Sequence, residues 1–71
     1  MKILLQDREK IVDMPREVWI GKNGEYYTIF GTSYITPVLG NYTTEQRAKE
    51  VLDKMFDYYQ SNERSYVMPK E

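Results

Sequence analysis

The chain of 71 residues contains neither cysteine nor histidine. Without cysteine, no disulfide stabilises the fold, and the pattern of a secreted, disulfide-bonded small domain is excluded. The commonest general base, the most reactive nucleophile and the usual zinc ligands are missing as well. No loop of Asp, Asn and Gly has the spacing of a calcium site. We therefore expect a protein that is not an enzyme and that holds no cofactor and no metal.

An excess of charge of one sign is also missing. Ten Lys and Arg residues against eleven Asp and Glu residues give a formal net charge of −1, and the two signs are interspersed. Non-specific nucleic-acid binding needs a basic excess, because neutralisation of phosphates supplies most of the affinity. The composition excludes that class, but it allows a small anionic ligand held by two or three basic side chains.

Long apolar runs are absent. No segment approaches the roughly 20 residues of a membrane-spanning helix, and the apolar start ends at the polar residues 6–10 too early for a signal peptide. We expect a cytoplasmic protein that has no membrane partner. Residues 1–71 form a single domain whose small core leaves self-association as the remaining route to stability, so we expect a homodimer or higher homo-oligomer.

Aromatic and β-branched segments predict five or six short strands. The predicted strands cover residues 2–5, 10–13, 18–20, 25–30 and 34–39, with a last extended piece at residues 66–69. Asn23-Gly24 is a strong hairpin signal and predicts that the third to fifth strands form an antiparallel meander. Pro37 favours an edge position or a bulge in the fifth strand.

The helix prediction rests on spacing. Thr43-x-x-Gln46 matches a capping box and predicts a helix from about residue 44 to residue 61. Six apolar residues that we expect to pack on the sheet follow with a 3.6-residue period: Ala48, Val51, Leu52, Met55, Phe56 and Tyr59. The predicted fold class is α+β, a small antiparallel sheet of five to six strands with one C-terminal amphipathic helix packed on one face.

One helix covers one face of a sheet, and both faces of the meander are apolar in sequence. Val18, Ile20, Tyr27 and Ile29 are expected on one face. The other is expected to carry Trp19, Tyr26, Phe30, Ile35 and Leu39. An uncovered aromatic face is expected to contact a partner or another copy.

Aromatic and basic residues are the candidates for ligand binding. The ten aromatic residues include seven tyrosines, whose ordinary role is in a core or an oligomer interface. The alternative role is a stacking platform for a purine, with Arg side chains as forks for phosphate. The aromatic candidates are Trp19, Tyr26, Tyr34 and Tyr66. The basic candidates are Arg16, Arg47 and Arg64, for each of which a solvated surface position is the alternative.

Three segments resemble short proteins of phages and prophages of Gram-positive hosts. They are the opening Met1-Lys2-Ile3-Leu4-Leu5-Gln6-Asp7 with residues 11–17, the strand-to-helix passage over residues 39–52, and the closing Tyr66-Val67-Met68-Pro69. The group includes the Thoeris anti-defence sponge proteins, and the resemblance spans most of the chain. The chain is markedly shorter than those sponges, and it lacks much of the region in which longer members elaborate their pockets.

The resemblance implies a non-catalytic anti-defence protein that binds a cyclised ADP-ribose immune signal without cleaving it, in the cytoplasm of a bacterial host cell. Such sponges assemble as dimers or larger oligomers, and some hold cyclic oligonucleotides at a separate site. The resemblance places ligand contacts near Arg64, Tyr66 and Met68. The alternative function is a phage-encoded protein–protein inhibitor or adaptor that acts through the exposed aromatic sheet face. A third is a small regulatory or structural subunit without a ligand.

Overall fold

The structure is a computed structural model that describes residues 1–33, 35 and 37–71. Six strands and one helix follow along the chain: β1 (Lys2–Leu4), β2 (Ile11–Asp13), β3 (Val18–Asn23), β4 (Tyr26–Gly31), β5 (Val38–Tyr42), α1 (Glu45–Gln60) and β6 (Ser65–Val67). Across the described ranges, no helix combines the length and the apolar character needed to span a bilayer. The α+β class and the number of strands agree with the sequence prediction.

The strands form two three-stranded sheets, so the prediction of a single sheet was wrong. The small sheet has the order β2-β1-β6, with β1 antiparallel to β2 and parallel to β6. The large sheet is the antiparallel meander β3-β4-β5. The end of β1 approaches β5 through one main-chain bond, from Gln6 N to Leu39 O at 3.1 Å. Pairing between the two ends of the chain therefore completes a separate small sheet.

The hairpin between β3 and β4 has a two-residue turn, because Asn23 pairs with Tyr26. Gly24 takes a φ of 63°, and Glu25 is not in the left-handed region. A positive φ at the first turn position alone is the pattern of a type II′ turn, in which glycine is preferred. The hairpin predicted from Asn23-Gly24 is confirmed, and the turn lies one residue further on.

Strand β5 begins at Val38, whereas the sequence predicted a strand over residues 34–39. Pro37 has no N–H to donate to a ladder, and its carbonyl accepts a bond from Gly31 N at 2.7 Å just before the strand. The pairing with β4 is irregular between Ile29 and Phe30. This bulge places Leu39 in the core and not on the outer face that its sequence position predicts.

Helix α1 has well-defined caps at both ends. Thr44 is the N-cap, and its hydroxyl accepts a bond from Arg47 N at 3.1 Å. Thr43 instead donates to Glu71 Oε1 at 2.8 Å, so the predicted capping box was one residue out of register. At the other end, Asn62 takes a φ of 57°. The bonds Glu63 N to Tyr58 O and Asn62 N to Tyr59 O complete a Schellman motif.

The inner face of α1 packs on the large sheet and on β6. Ala48, Val51 and Met55 are fully buried, and Leu52 is half-buried. Phe56 and Tyr59 are each 56% exposed, so the prediction that both pack on the sheet was wrong. Phe56 lies about 80° around the helix from Ala48, and Tyr59 lies in the last helical turn. Both are apolar residues that the sheets do not cover.

One face of the large sheet packs on the core and the other faces solvent. For β3 and β4, the residues on each face are those that the sequence predicted. Residues directly opposite one another share a face. Ile20 and Ile29 therefore face the core, where Ile29 is fully buried. The outer face carries Trp19 opposite Phe30 and Asn23 opposite Tyr26. Trp19 and Tyr26 are 46% and 48% exposed, so an aromatic face is left open to solvent.

The end of the chain is held by its main-chain carbonyls. Four side chains donate to four consecutive carbonyls of residues 68–71: Arg8 to Met68 at 2.6 Å, Tyr42 to Pro69 at 2.8 Å, Gln6 to Lys70 at 2.9 Å and Arg47 to Glu71 at 2.8 and 3.0 Å. We call this arrangement the carbonyl clasp. Its donors come from the β1–β2 turn, β5 and α1, so it joins the small sheet to the rest of the protein.

Two neighbouring helix residues test the packing. Met55→Ala should lower the free energy of unfolding by about 2–5 kcal/mol, the usual range for a buried large-to-small change. Phe56→Ala should lower it much less, because more than half of the ring is already in solvent. Urea unfolding of both variants measures the difference. Equal losses would contradict the orientation of the helix.

The carbonyl clasp predicts that the folded protein loses stability at alkaline pH. Burial, the largest cause, and the neighbouring Tyr66 raise the pKa of the Tyr42 hydroxyl. A raised pKa in the folded state gives stability that is complete below the unfolded pKa of about 10 and is lost as the pH rises above it. We expect the melting temperature to fall above that pH, and to fall less steeply with pH in Tyr42→Phe.

The control is Tyr59→Phe, which changes an exposed tyrosine and should keep the wild-type dependence of melting temperature on pH. If Tyr42→Phe also kept the wild-type dependence, the link between Tyr42 and alkaline stability would be refuted.

Candidate functional site

A concave surface lies between residues 13–18 and the C-terminal half of α1. Two adjoining cavities of about 360 and 560 Å³ share four lining residues: Met14, Pro15, Arg16 and Phe56. We call the two together the Met14–Phe56 groove. Their volumes lie within the range of roughly 300–1,000 Å³ that small-molecule sites occupy.

One wall of the groove is the connection between β2 and β3. Met14 N donates to Met1 O at 2.8 Å, and Thr32 N donates to Glu17 O at 3.0 Å. Pro15 packs so closely on β4 that a Cβ built on Gly31 would lie 2.5 Å from Pro15 Cγ. Because Gly31 carries no side chain, the proline ring reaches the sheet and holds this wall in place.

The other wall is the part of α1 that the sheets leave uncovered. Leu52 and Phe56 line the smaller cavity, and Phe56 and Tyr59 line the larger one. Rings at the i and i+3 positions of a helix lie on neighbouring turns. The groove therefore has an exposed aromatic wall facing the rigid Met14-Pro15 segment.

The charges in the groove are mixed. Arg16 is exposed at the lining of both cavities, Asp53 lines the smaller and Asp13 the larger. Lys2 Nζ lies 2.6 Å from Asp13 Oδ1. The hydrogen bond from Lys2 and its positive charge hold the pKa of the Asp13 carboxyl below its usual range. Lys2 thus offsets the Asp13 carboxylate. Among the described residues, no cluster of three or more potential metal-binding side chains is found.

The candidates from the sequence are distributed over separate parts of the molecule. Arg16 lies in the groove, whereas Trp19 and Tyr26 lie on the outer face of the large sheet, on the side opposite the helix. Arg47 is half-buried and binds Glu71 and Glu50. Arg64 is exposed next to β6. Tyr34 lies outside the described residues.

Tyr66 and Met68 are part of the core. Tyr66 is 6% exposed and Met68 is fully buried. The Tyr66 ring meets Tyr58 edge to face at 4.9 Å between centroids. Burial, with the nearby Tyr58 as a second cause, raises the pKa of the Tyr66 hydroxyl. Both side chains already support the packing between β6 and the rest of the molecule.

Sequence reasoning missed most of the groove. Met14 and Pro15 were interpreted only as the end of a strand, and Phe56 and Tyr59 as core. The helix period identifies a stripe but does not show where the opposing sheet ends. One signal was available. The predicted apolar stripe of six residues is wider than the buried face of the helix, which Ala48, Val51 and Met55 fill.

Comparisons of the chain with protein families, curated proteins and solved structures find no match. They provide no link to the Thoeris anti-defence sponge family.

Burial distinguishes two of the candidate residues. Tyr66→Ala should cost about 3–5 kcal/mol, because it removes a buried aromatic ring. Arg64→Ala should leave the melting temperature within about one or two degrees of the wild type, as surface changes usually do. Thermal melts followed by circular dichroism compare the two. A stable Tyr66→Ala variant would show that the ring is not part of the core.

Proposed function

We propose that the protein is a non-catalytic binding protein that sequesters a cyclic nucleotide-type immune signal, as a phage or prophage anti-defence protein. The observation that carries the proposal is the Met14–Phe56 groove, which combines two exposed aromatic rings with an arginine. The resemblance of the chain ends and the strand-to-helix passage to the sponge group supplies the ligand class: cyclised ADP-ribose or a cyclic oligonucleotide.

The groove offers each part of such a ligand a suitable group. Phe56 and Tyr59 provide ring faces on which bases stack, at about 1–3 kcal/mol per base. Arg16 provides a planar fork for phosphate oxygens. The Asp53 carboxylate is an acceptor for ribose hydroxyls, as acidic residues are in dinucleotide sites.

A second copy of the chain completes the proposed site. The groove is open on one side, and a domain of this size cannot enclose a nucleotide within its own core. A homodimer or higher oligomer with the groove at the interface removes the bound ligand from solvent on both sides. The ligand then stabilises the assembly by mass action.

The direct test is titration calorimetry with cyclised ADP-ribose and with cyclic di- and trinucleotides. We expect heat and a raised melting temperature with one of these ligands, and binding that weakens as salt is added. Arg16→Ala should weaken binding about tenfold or more, the loss expected for a charge-assisted bond. Light scattering with and without ligand reports the proposed oligomer.

Arg64→Ala is the matched control, because it removes an exposed arginine outside the groove. Equal losses from Arg16→Ala and Arg64→Ala would place the ligand elsewhere. If none of the ligands produces heat or a melting shift, the sequestration proposal fails.

The outer face of the large sheet favours the second function, a protein–protein inhibitor or adaptor. Trp19 stacks on Phe30 at 5.8 Å between centroids and remains nearly half exposed. Exposed, well-supported tryptophan is typical of binding hot spots.

A further inference from the structure

The outer face of the large sheet carries no charge at the positions that the register places there. In a chain of which 30% of the residues are charged, the side chains along the three strands of this face are neutral: Trp19, Asn23, Tyr26, Thr28, Phe30, Val38 and Asn41. The Thr28 hydroxyl donates to Asn41 Oδ1 at 2.6 Å, so the polar groups at the centre are bonded to each other. A partner that binds through phosphate or carboxylate groups finds no cation here.

The aromatic rings on this face are held in position. A Cβ built on Gly21 would lie 2.8 Å from the Phe30 ring, so the ring reaches β3 only because residue 21 is glycine. Trp19 stacks on that ring with an angle of 22° between the planes. Tyr26 stands at the far end of the face, opposite Asn23. The result is a supported aromatic strip with Trp19 at one end and Tyr26 at the other.

The area of the face is small. Two strands of six residues and one of five, at about 3.3 Å per residue and about 4.8 Å apart, give a flat outline of about 270 Å². A stable protein–protein interface needs about 800 Å² from each partner. The face alone is smaller than the area that a folded partner or a second copy needs, and it suits one short linear segment of a partner protein.

We propose that this face binds a proline-rich peptide in the polyproline II conformation. Such segments dock on aromatic surfaces, and their preformed helix loses little entropy on binding. Trp19 and Tyr26 are separated by four strand positions, or about 13 Å. A polyproline II helix rises about 3.1 Å per residue and covers that distance in about four residues. Proline rings at the two ends of such a segment pack on Trp19 and Tyr26. The residues between them pass over the uncharged centre, where Thr28 is fully buried.

Trp19 is the only tryptophan in the chain, so its fluorescence reports directly on this face. The probe is a synthetic decaproline peptide, and a Gly/Ser peptide of the same length is the control ligand. We expect a saturable change of emission with decaproline alone, equal at low and high salt because no charged group takes part. The salt-sensitive nucleotide binding proposed for the groove is independent of this result.

Two exposed tyrosines provide matched variants. Tyr26→Ala should weaken peptide binding about tenfold, as truncation of an aromatic anchor does. Tyr59→Ala removes a similarly exposed ring from the groove and should leave peptide binding unchanged. Trp19→Ala, followed by calorimetry, should abolish binding, and melting curves confirm that each variant is folded.

The proposal is overturned if decaproline gives no saturable change, if the Gly/Ser peptide binds equally well, or if Tyr26→Ala binds like the wild type. An emission shift that follows the protein concentration without any peptide would mean that a second copy covers the face. Saturable binding of a neutral oligosaccharide in place of the peptide would assign the face to sugars.

Discussion

The carbonyl clasp is the interaction on which the two-sheet arrangement depends. The buried Met68 and the half-buried Pro69 need donors for their main-chain carbonyls. Residues 68–71 all obtain such donors from side chains in place of a strand ladder. Gln6 contributes most, because its Oε1 also accepts from Asn41 N at 2.7 Å. It thereby links the turn after β1, the edge of β5 and the chain end. Arg8 takes a left-handed φ of 64°, an uncommon conformation for a non-glycine residue, while its guanidinium reaches Met68.

Because the chain end is held in this way, one helix is enough to cover the core. Its buried stripe of Ala48, Val51 and Met55 packs on the large sheet and on β6. The apolar residues beyond that stripe remain in the groove, and those on the far side of the large sheet remain in solvent. The two surfaces differ in charge. The groove mixes Arg16 with two carboxylates, whereas the outer face is neutral at the positions that the register places there, so the two surfaces suit different ligands.

Local signals in the sequence predicted the local structure. The glycine turn produced the hairpin, and the 3.6-residue period placed the helix within one residue at each end. The division into two sheets was not predictable, because the parallel pairing of β1 with β6 joins segments about sixty residues apart and leaves no periodic trace. The groove was missed for a related reason. Whether Phe56 and Tyr59 are buried depends on where the opposing sheet ends, which the helix sequence does not contain.

The same contacts limit which candidates are free to bind a ligand. Arg47 holds Glu71 through two nitrogens, and a phosphate that recruited its guanidinium would have to break this part of the clasp. Tyr66 and Met68 are in the core, so a ligand would have to open the protein to reach them. Arg16, Phe56 and Tyr59 in the groove, and Trp19 and Tyr26 on the outer face, expose their side chains without such a cost. Binding at these positions leaves the fold intact, which is why both proposed sites are built on them.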